Sequence, residues 1–365
     1  MQHTSSFSGR NTLILPQRQP AAFSTGRRPP QQTIGVQKRT RSQAVETPPQ
    51  IVETASDQEV MIRRRAPDGI PQQPCGAMRF EVPETEDNKP RNILEEIVWW
   101  KAQEMVRMKE KEPLARLSMQ IKVAAPSRDF IGALRAANER IGKPGLIAEV
   151  KKASPSRGVI QPDFDPVRIA KAYEAGGAAC LSVLTDAKYF QGSFDYLAQI
   201  RAAGVATPLL CKEFIVEAYQ LFKARASGAD AVLLIAAVLP NSDLAYLIKA
   251  ANKCGLQVLV EVHTIAELER VLKLDMDSSQ VMLGINNRDL QTFKVDIENN
   301  RRIMESSAGQ QVKERGFLMA GESGIFTPEH VAFVQSTGCD AILVGESLVK
   351  EGNPEAAVKK LLSLA

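Results

Sequence analysis

Eight short apolar runs follow residue 145, and they restrict the fold more than any other feature of the chain. Each run is continuously apolar and not alternating, which is typical of parallel strands buried on both faces. Segments of helical period lie between the runs, as in repeated β-α units. The runs are Leu146–Val150, Cys180–Leu184, Pro208–Cys211, Ala231–Ile235, Val258–Val262, Val281–Ile285, Phe317–Ala320 and Ala341–Val344.

Eight successive β-α units predict an α/β protein with the architecture of a TIM (β/α)8 barrel. An open, doubly wound sheet is the alternative, but it normally carries a glycine-rich dinucleotide loop after its first strand, and none follows Val150. Two amphipathic segments, Ile93–Lys111 and Asp129–Ile141, precede the first strand and predict extra N-terminal helices. We therefore expect a barrel domain over residues 92–365.

The N-terminal segment has a different composition. Before Glu46 it contains seven Lys/Arg, ten Ser/Thr and no acidic residue. Such a segment cannot bury enough apolar surface to offset its ordering entropy, so we expect residues 1–65 to be disordered. The composition is typical of an organellar transit peptide, and a solubilising or vector-derived tail is the alternative. Residues 66–91, which contain several Pro and acidic residues, are expected to form a loop-like linker.

Charge and cysteine content exclude several classes of function. Residues 1–65 hold ten basic and four acidic residues, so the rest of the chain has 36 basic and 38 acidic residues and no excess of positive charge for nucleic-acid binding. No apolar run approaches the ~18 residues that span a bilayer. Five widely spaced Cys without a C-x-x-C pair, and three His, indicate a reducing compartment and offer few zinc ligands. We expect no nucleic acid, no membrane and no metal as partners.

Charged side chains occur where the predicted strands end, which is where the active sites of this fold lie. Glu149 and Lys151 fall on the same side of the first strand, and Lys212 ends the third. A lysine beside another lysine in a semi-buried pocket is expected to have a lowered pKa, suited to proton transfer or Schiff-base chemistry. Glu261, flanked by apolar residues, is expected to face the barrel lumen. A purely structural ion pair is the alternative for Glu149 and Lys151.

The last two predicted strands are followed by the same tripeptide, Gly-Glu-Ser, beginning at Gly321 and Gly345. Glycines allow close backbone approach, and a following helix directs free N–H groups at an anion. In TIM barrels the loops after strands 7 and 8 usually bind phosphate, and Ser154 lies beside them because the first and eighth strands adjoin. The sequence therefore predicts a phosphorylated small-molecule substrate.

Taken together, the strand-end strings resemble the indole-3-glycerol-phosphate synthase family, over roughly residues 92–365. Minor differences are Glu213 and Cys211, where the family often has Asp and Met. The extended N terminus resembles plastid-targeted forms, and cyanobacterial forms can also carry extra residues there. The strings are AEVK with SPS (148–156), LTD with YFQGS (184–193), LCKEF (210–214), VEVH (260–263), GINNRDL (284–290), GESGI (321–325) and VGESL (344–348).

The resemblance implies a carboxy-lyase of tryptophan biosynthesis that needs no cofactor. The reaction converts 1-(2-carboxyphenylamino)-1-deoxyribulose 5-phosphate to indole-3-glycerol phosphate, carbon dioxide and water. Lys212 is then the general acid at ring closure, Lys151 holds the substrate carboxylate, and Glu261 is the acid/base partner at dehydration. Glu149 positions or tunes the lysines. Which lysine is the principal general acid stays open.

The same resemblance implies the residues that bind the substrate. Asn286, counted with the catalytic set, and Glu322 bind the hydroxyl groups, and Phe190 packs on the aromatic ring. Ser323 and Arg288 are further substrate-binding residues. The phosphate-binding set is Ser154, Gly324, Gly345, Glu346 (through its backbone N–H) and Ser347.

Two other functions fit the same fold. One is a Schiff-base aldolase with Lys212 or Lys151 as nucleophile, but such an enzyme need not carry two glutamates and an aromatic wall beside them. The other is a non-catalytic phosphate-binding barrel, which would be expected to have lost a lysine or Glu261. We expect a monomer with weak contacts to other enzymes of the tryptophan pathway. Its location is the plastid stroma after transit-peptide removal, or the cytoplasm in a prokaryote.

Overall fold

The computed structural model describes residues 89–90, 92–289, 293–350 and 352–364. The predicted segment 1–65 and most of the predicted linker 66–91 lie outside these residues. The strands are β1 (Gly145–Val150), β2 (Ala153–Ser154), β3 (Gly158–Val159), β4 (Cys180–Leu184), β5 (Leu209–Lys212), β6 (Ala231–Ile235), β7 (Gln257–Val262), β8 (Val281–Asn286), β9 (Met319–Glu322) and β10 (Ala341–Val344).

Helices precede the first strand and follow the barrel strands. They are α1 (Ile93–Lys111), α2 (Leu114–Val123), α3 (Phe130–Ile141), α4 (Pro166–Ala175), α5 (Ala187–Phe190), α6 (Phe194–Ala202), α7 (Ala218–Ala226), α8 (Asn241–Lys253), α9 (Ile265–Val271), α10 (Glu298–Met304), α11 (Ser307–Glu314), α12 (Pro328–Ser336), α13 (Glu346–Lys350) and α14 (Pro354–Leu362). None of these helices is both long and apolar enough to cross a membrane.

The eight long strands pair side by side into a closed parallel barrel, in the order β1-β10-β9-β8-β7-β6-β5-β4. The short strands β2 and β3 form a separate antiparallel hairpin after β1. Every barrel pair is parallel, so all eight carboxyl ends meet at one end of the barrel. The predicted TIM barrel is confirmed.

Burial of both strand faces explains why the strands are apolar throughout and do not alternate. All residues of β4, β6 and β10 are buried, because one face meets the lumen and the other meets the surrounding helices. The helices turn one apolar face inward, as α4 does with Ile169, Ala170 and Tyr173. The core therefore occupies the barrel interior and the layer between strands and helices.

From residue 92 onward, three helices and not two precede the barrel. The bounds of α1 agree with the predicted Ile93–Lys111, and α3 begins one residue after Asp129, whose side chain accepts a hydrogen bond from the Gly132 N–H as the N-cap. The extra helix α2 was not expected from the sequence. Leu117 is its only buried residue, so its apolar pattern is weak.

Helix α3 lies against the amino ends of the strands. The Ile131 N–H donates to the side-chain oxygen of Gln257 at the start of β7 (3.0 Å), and the Arg128 N–H donates to Asp230 just before β6 (2.8 Å). Phe130 and Leu134 are buried in the main core. Because α3 binds this end, a substrate cavity is expected at the opposite, carboxyl end.

Several strand boundaries differ from the prediction by one or two residues, and the largest difference is in the seventh run. The seventh apolar run was placed at Phe317–Ala320, whereas β9 spans Met319–Glu322 and pairs Glu322 with Asn286 of β8. Lys212 likewise lies inside β5. A prediction from apolar runs ends each strand before such a polar residue. Here each polar residue has buried partners that compensate for its lost hydration, so the strand continues through it to the carboxyl end of the barrel.

Candidate active site

A cavity opens at the carboxyl end of the barrel. Its volume is about 930 Å³, counted with the solvent-open space at its mouth. Ser154 and Ser347, two of the predicted phosphate-binding residues, are not among its lining residues. The structure brings together twelve of the predicted site residues around this cavity: Glu149, Lys151, Phe190, Lys212, Glu261, Asn286, Arg288, Glu322, Ser323, Gly324, Gly345 and Glu346.

Lys212 lies between two carboxylates from other strands. Its Nζ is 2.8 Å from Oε2 of Glu322 on β9 and 3.5 Å from Oε2 of Glu261 on β7. All three side chains are largely buried, with exposed fractions of 16%, 2% and 5% respectively. A buried ammonium needs such partners, because an isolated charge would cost several kcal/mol to remove from water.

The sequence-based expectation of a lowered lysine pKa is wrong for Lys212. Burial by itself lowers the pKa of this lysine, but Glu322, Glu261 and Glu149 together outweigh burial and raise it above its ordinary value. The sequence showed two lysines at neighbouring strand ends and not the three carboxylates that converge on one of them. Lys212 is therefore an ammonium in the ligand-free protein at neutral pH.

Glu322 has the opposite balance. Burial raises the pKa of this carboxyl to about 7, helped by the negative charge of Glu261, although Lys212 acts to lower it. Its Oε1 is buried and accepts no hydrogen bond from the residues that the structure describes. A Cβ at Gly284 would overlap this oxygen, so only glycine leaves room for the carboxyl at that position. Glu322 is thus a protein acid that can be neutral or charged near neutrality.

Lys151 and Glu149 form the second pair, as the alternation along β1 predicted. Lys151 Nζ donates a hydrogen bond to Oε1 of Glu149, and both side chains line the cavity. Although burial raises the pKa of Glu149, Lys151 and Lys212 lower it further, so it is below its ordinary value. Glu149 is therefore an anion that interacts with both lysines.

Asn286 connects the Glu261 carboxylate to the loop after β9. Its amide Nδ2 donates to Oε1 of Glu261 (3.1 Å), and its Oδ1 accepts from Oγ of Ser323 and from the N–H of Arg288 (3.0 Å each). With its donor and acceptor both engaged, the amide fixes the orientation of Glu261. Ser323 itself has a left-handed backbone, with φ of 66°, which is uncommon outside glycine and asparagine.

The loops after β9 and β10 approach the mouth closely. Gly324 also has a left-handed φ of 79°, and a Cβ at Gly345 would overlap the Glu149 carboxylate. The Glu346 carboxylate contacts two guanidinium groups, at 2.7 Å from Arg157 and 3.5 Å from Arg288. These arginines provide positive charge beside the glycine loops, and Arg157 was not predicted as a site residue.

Ser347 and Ser154 lie apart from the cavity. Oγ of Ser347 donates to the backbone oxygen of Ile325 (3.0 Å), which joins the loops after β9 and β10. Ser154 is half-buried in the β2–β3 hairpin. Strand β1, which the hairpin follows, pairs with β10, but neither Ser154 nor Ser347 lines the cavity.

An aromatic wall lines the side of the cavity nearest β4 and β5. Phe190 ends α5, and Phe214 follows β5, with ring centroids 6.0 Å apart at an angle of 37°. The Asp186 side chain accepts from the N–H groups of Tyr189 and Phe190 and so begins α5. Phe214 and Phe326 also line the cavity and were missed as site residues. Phe214 lies inside the string LCKEF and Phe326 directly follows GESGI, and both strings were identified by their charged residues.

The site contains several carboxylates but no metal-binding geometry. Across the described residues, no three His, Cys, Asp or Glu side chains converge as a metal ion would require. The histidine nearest these carboxylates in sequence, His263, is turned to Asn286, whose backbone oxygen lies 2.6 Å from Nδ1. The arrangement can supply two ammonium groups, an ionisable carboxyl and an apolar wall.

We expect the raised pKa of Glu322 to make stability depend on pH. Between about pH 5 and pH 7 the folded protein keeps a proton on Glu322 that the unfolded chain has released, so the free energy of unfolding falls as pH rises. Relative to Glu322→Gln, the free energy of unfolding of the native protein should fall by on the order of 2 kcal/mol across this pH range.

Urea unfolding of both proteins at several pH values measures this difference. Glu314→Gln, at an exposed position on α11, is the control and should follow the native protein. Parallel stability curves for the native protein and Glu322→Gln would mean that Glu322 ionises like an ordinary glutamate.

Comparison with known proteins agrees with this geometry. The sequence profile of indole-3-glycerol phosphate synthase matches residues 94–361. A protein named "Indole-3-glycerol phosphate synthase, chloroplastic" from Arabidopsis thaliana is 52% identical over 309 residues, which are 85% of this chain and 76% of the relative. Proteins named "Indole-3-glycerol phosphate synthase" from Crocosphaera subtropica and Microcystis aeruginosa are 50% and 49% identical over 83% of this chain, and 100% and 98% of their own lengths are covered. The chain therefore belongs to the indole-3-glycerol phosphate synthase family.

Proposed function

We propose that the chain closes the indole ring of indole-3-glycerol phosphate from 1-(2-carboxyphenylamino)-1-deoxyribulose 5-phosphate, with release of carbon dioxide and water. The observation that carries this proposal is the position of Lys212. Its ammonium lies at the cavity floor between Glu322 and Glu261, with an aromatic wall on one side and glycine loops on the other. The substrate's aromatic ring matches the aromatic wall, its ketone matches Lys212, and its phosphate matches the glycine loops.

Ring closure needs an acid at the ketone. The ring carbon that bears the carboxylate attacks the carbonyl carbon, and the carbonyl oxygen takes a proton to become a hydroxyl group. Lys212 supplies this proton, because the carboxylates keep it protonated before substrate binds. When Glu322 turns to the substrate hydroxyls, its hold on the ammonium weakens, so Lys212 becomes a stronger acid at the moment it is needed.

Decarboxylation and dehydration complete the reaction. Loss of carbon dioxide returns the bonding electrons to the ring, and Lys151, freed from Glu149, holds the carboxylate before it leaves. The new hydroxyl group then leaves as water with a proton from Lys151, while Glu261 takes a proton from the reacting heterocycle. Asn286 keeps Glu261 in place for this step through their 3.1 Å hydrogen bond. Glu149 stays ionised and restrains both lysines.

The phosphate is proposed to bind at the loops after β9 and β10. Gly324, Gly345 and Arg288 line this part of the cavity, and glycine lets an anion approach the backbone N–H groups closely. The backbone N–H of Glu346 and the side chain of Ser347 contribute to this site. Ser154 completes it once the β2–β3 hairpin moves toward the phosphate. Ser323 and Glu322 bind the substrate hydroxyls, and Phe190 packs on the ring.

The protonation of Lys212 disfavours the Schiff-base aldolase. A nucleophilic amine must be neutral, and the three surrounding carboxylates stabilise the ammonium instead. The non-catalytic scaffold is disfavoured because both lysines, Glu261 and Asn286 retain one connected set of contacts.

We also propose that the protein acts as a monomer in the plastid stroma, with weak contacts to other enzymes of the tryptophan pathway. The acid-free composition before Glu46 supports a transit peptide, and the Arabidopsis relative is named chloroplastic. In a prokaryotic host the same chain would be cytoplasmic.

Import tests this location. Incubated with isolated chloroplasts, the full chain should become protease-protected and shortened, with a new N terminus before the barrel domain. A matched chain with Arg10, Arg18, Arg27 and Arg28 changed to Glu should stay outside. Equal protection of both chains, or none of either, would contradict a transit function for this segment.

Replacing Lys212 tests the proposed reaction. The full chain, mixed with the carboxyphenylamino-deoxyribulose phosphate, should generate indole fluorescence. Lys212→Ala should lower kcat by about 100-fold or more and change KM far less, because a positioned acid contributes to the transition state. Lys171→Ala, at an exposed position on α4, is the matched control and should keep full activity.

Three results would count against this account. An unchanged kcat in Lys212→Ala would remove this residue from its role as the acid. Tight phosphate-dependent binding without product in the native chain would favour the binding scaffold, and substrate trapped on Lys212 by borohydride would favour the aldolase.

A further inference from the structure

One buried lysine lies outside the cavity and takes no part in the reaction as described. Lys101, on α1 before the barrel, has 0% of its side chain exposed. Its Nζ is 2.7 Å from Oδ2 of Asp186, 2.8 Å from Oε1 of Glu213 and 2.7 Å from Oε2 of Glu104. A buried ammonium with three carboxylate partners from three chain segments is costly to assemble, because each charge loses its hydration.

Two of these carboxylates also hold the aromatic wall. The other oxygen of Asp186, Oδ1, accepts from the Phe190 N–H at 3.2 Å and so fixes the end of α5. Oε1 of Glu213, which contacts Lys101, also accepts from the Phe214 N–H at 2.8 Å. One ammonium therefore connects the two backbone segments that carry the two rings.

Without Lys101 the two carboxylates would repel each other. Burial raises the pKa of Glu213, and the nearby charge of Asp186 raises it further, while Lys101 lowers it. Both anions are nearly inaccessible to water, at 1% and 2% exposure, so solvent cannot replace the ammonium as a counter-charge. Loss of the positive charge should therefore separate the segments after β4 and β5.

Helix α1 also contacts α5, the short helix that ends with Phe190, through two further pairs of side chains. Tyr189, beside Phe190, donates from its hydroxyl group to Oε1 of Glu96 (3.0 Å). Lys188 lies over the ring of Trp100, with its Nζ 3.9 Å from the ring centroid. Helix α1 therefore packs against the turn that ends with Phe190, although it lies before the barrel in sequence.

We propose that Lys101 is a positioning residue for the substrate's aromatic ring, which acts by holding Asp186 and Glu213 together and so setting the separation of Phe190 and Phe214. This inference rests on the proposed function, because it assumes a substrate with an aromatic ring. Helix α1 thereby has a role in recognition of the substrate's aromatic ring, and this role is separate from proton transfer and phosphate binding.

Binding of two probes by the full chain tests the proposal. One is the substrate analogue in which the ketone is reduced to a hydroxyl group, and the other is ribulose 5-phosphate, which lacks the ring. Lys101→Met should weaken the ringed analogue by about fivefold to tenfold, the range of a misplaced aromatic contact, and leave ribulose 5-phosphate unchanged. Titration calorimetry measures both affinities.

The chain offers a matched control on the same helix. Lys109 also pairs with a buried carboxylate, Glu217, at 2.6 Å, but that carboxylate is not among the residues that line the cavity. Lys109→Met should change neither affinity. Lys101→Arg keeps the positive charge and should recover most of the affinity for the ringed analogue. If Lys101→Met does not fold, Lys101→Met/Glu213→Gln removes one of the repelling charges. This double variant should show a smaller loss, again confined to the ringed analogue, because the ammonium no longer joins the two segments.

The outcomes separate the two proposals. Equal weakening of both probes by Lys101→Met would mean that Lys101 only stabilises the fold, and no weakening of either would remove it from substrate recognition. Failure of the native chain to bind the ringed analogue better than ribulose 5-phosphate would instead contradict the proposed function.

Discussion

Closure of the parallel barrel is the constraint on which the site depends. Eight strands in one ring bring their carboxyl ends together, although the residues at those ends are far apart in sequence. Lys212 on β5 thereby meets Glu322 on β9 across the lumen, 110 residues later in the chain. No local segment could form this pair, so an intact barrel is a condition for the charge arrangement in the cavity.

The charge arrangement in turn determines which chemistry is available. The carboxylates around Lys212 outweigh its burial, so this lysine is kept as an ammonium and not as a neutral amine. The same burial raises the pKa of Glu322 to about 7, while Glu149, between the two lysines, stays ionised. Two glutamates in one cavity thus have opposite pKa shifts, because Glu149 interacts with both lysines, whereas burial and a neighbouring carboxylate prevail at Glu322.

Most of the fold and of the site could be predicted from the sequence, because both leave local signals. Continuous apolar runs marked the strands, and polar residues directly after them marked the cavity lining. The pKa of Lys212 could not be predicted this way, since it depends on carboxylates from three other strands. Lys101 also left no signal: a lysine on an amphipathic helix is usually exposed, and only the tertiary structure shows it buried against Asp186 and Glu213.

The charge state of Lys212 in the ligand-free protein tests the account most directly. NMR titration of lysine side chains labelled at the ε-carbon would follow it, with the Lys212 signal assigned by its absence in Lys212→Arg. The account predicts that Lys212 stays protonated, and that its signal therefore does not shift, through about pH 10.4, where exposed lysines titrate. A Lys212 signal that titrates below about pH 9 in the folded protein would contradict it and favour a neutral, nucleophilic amine.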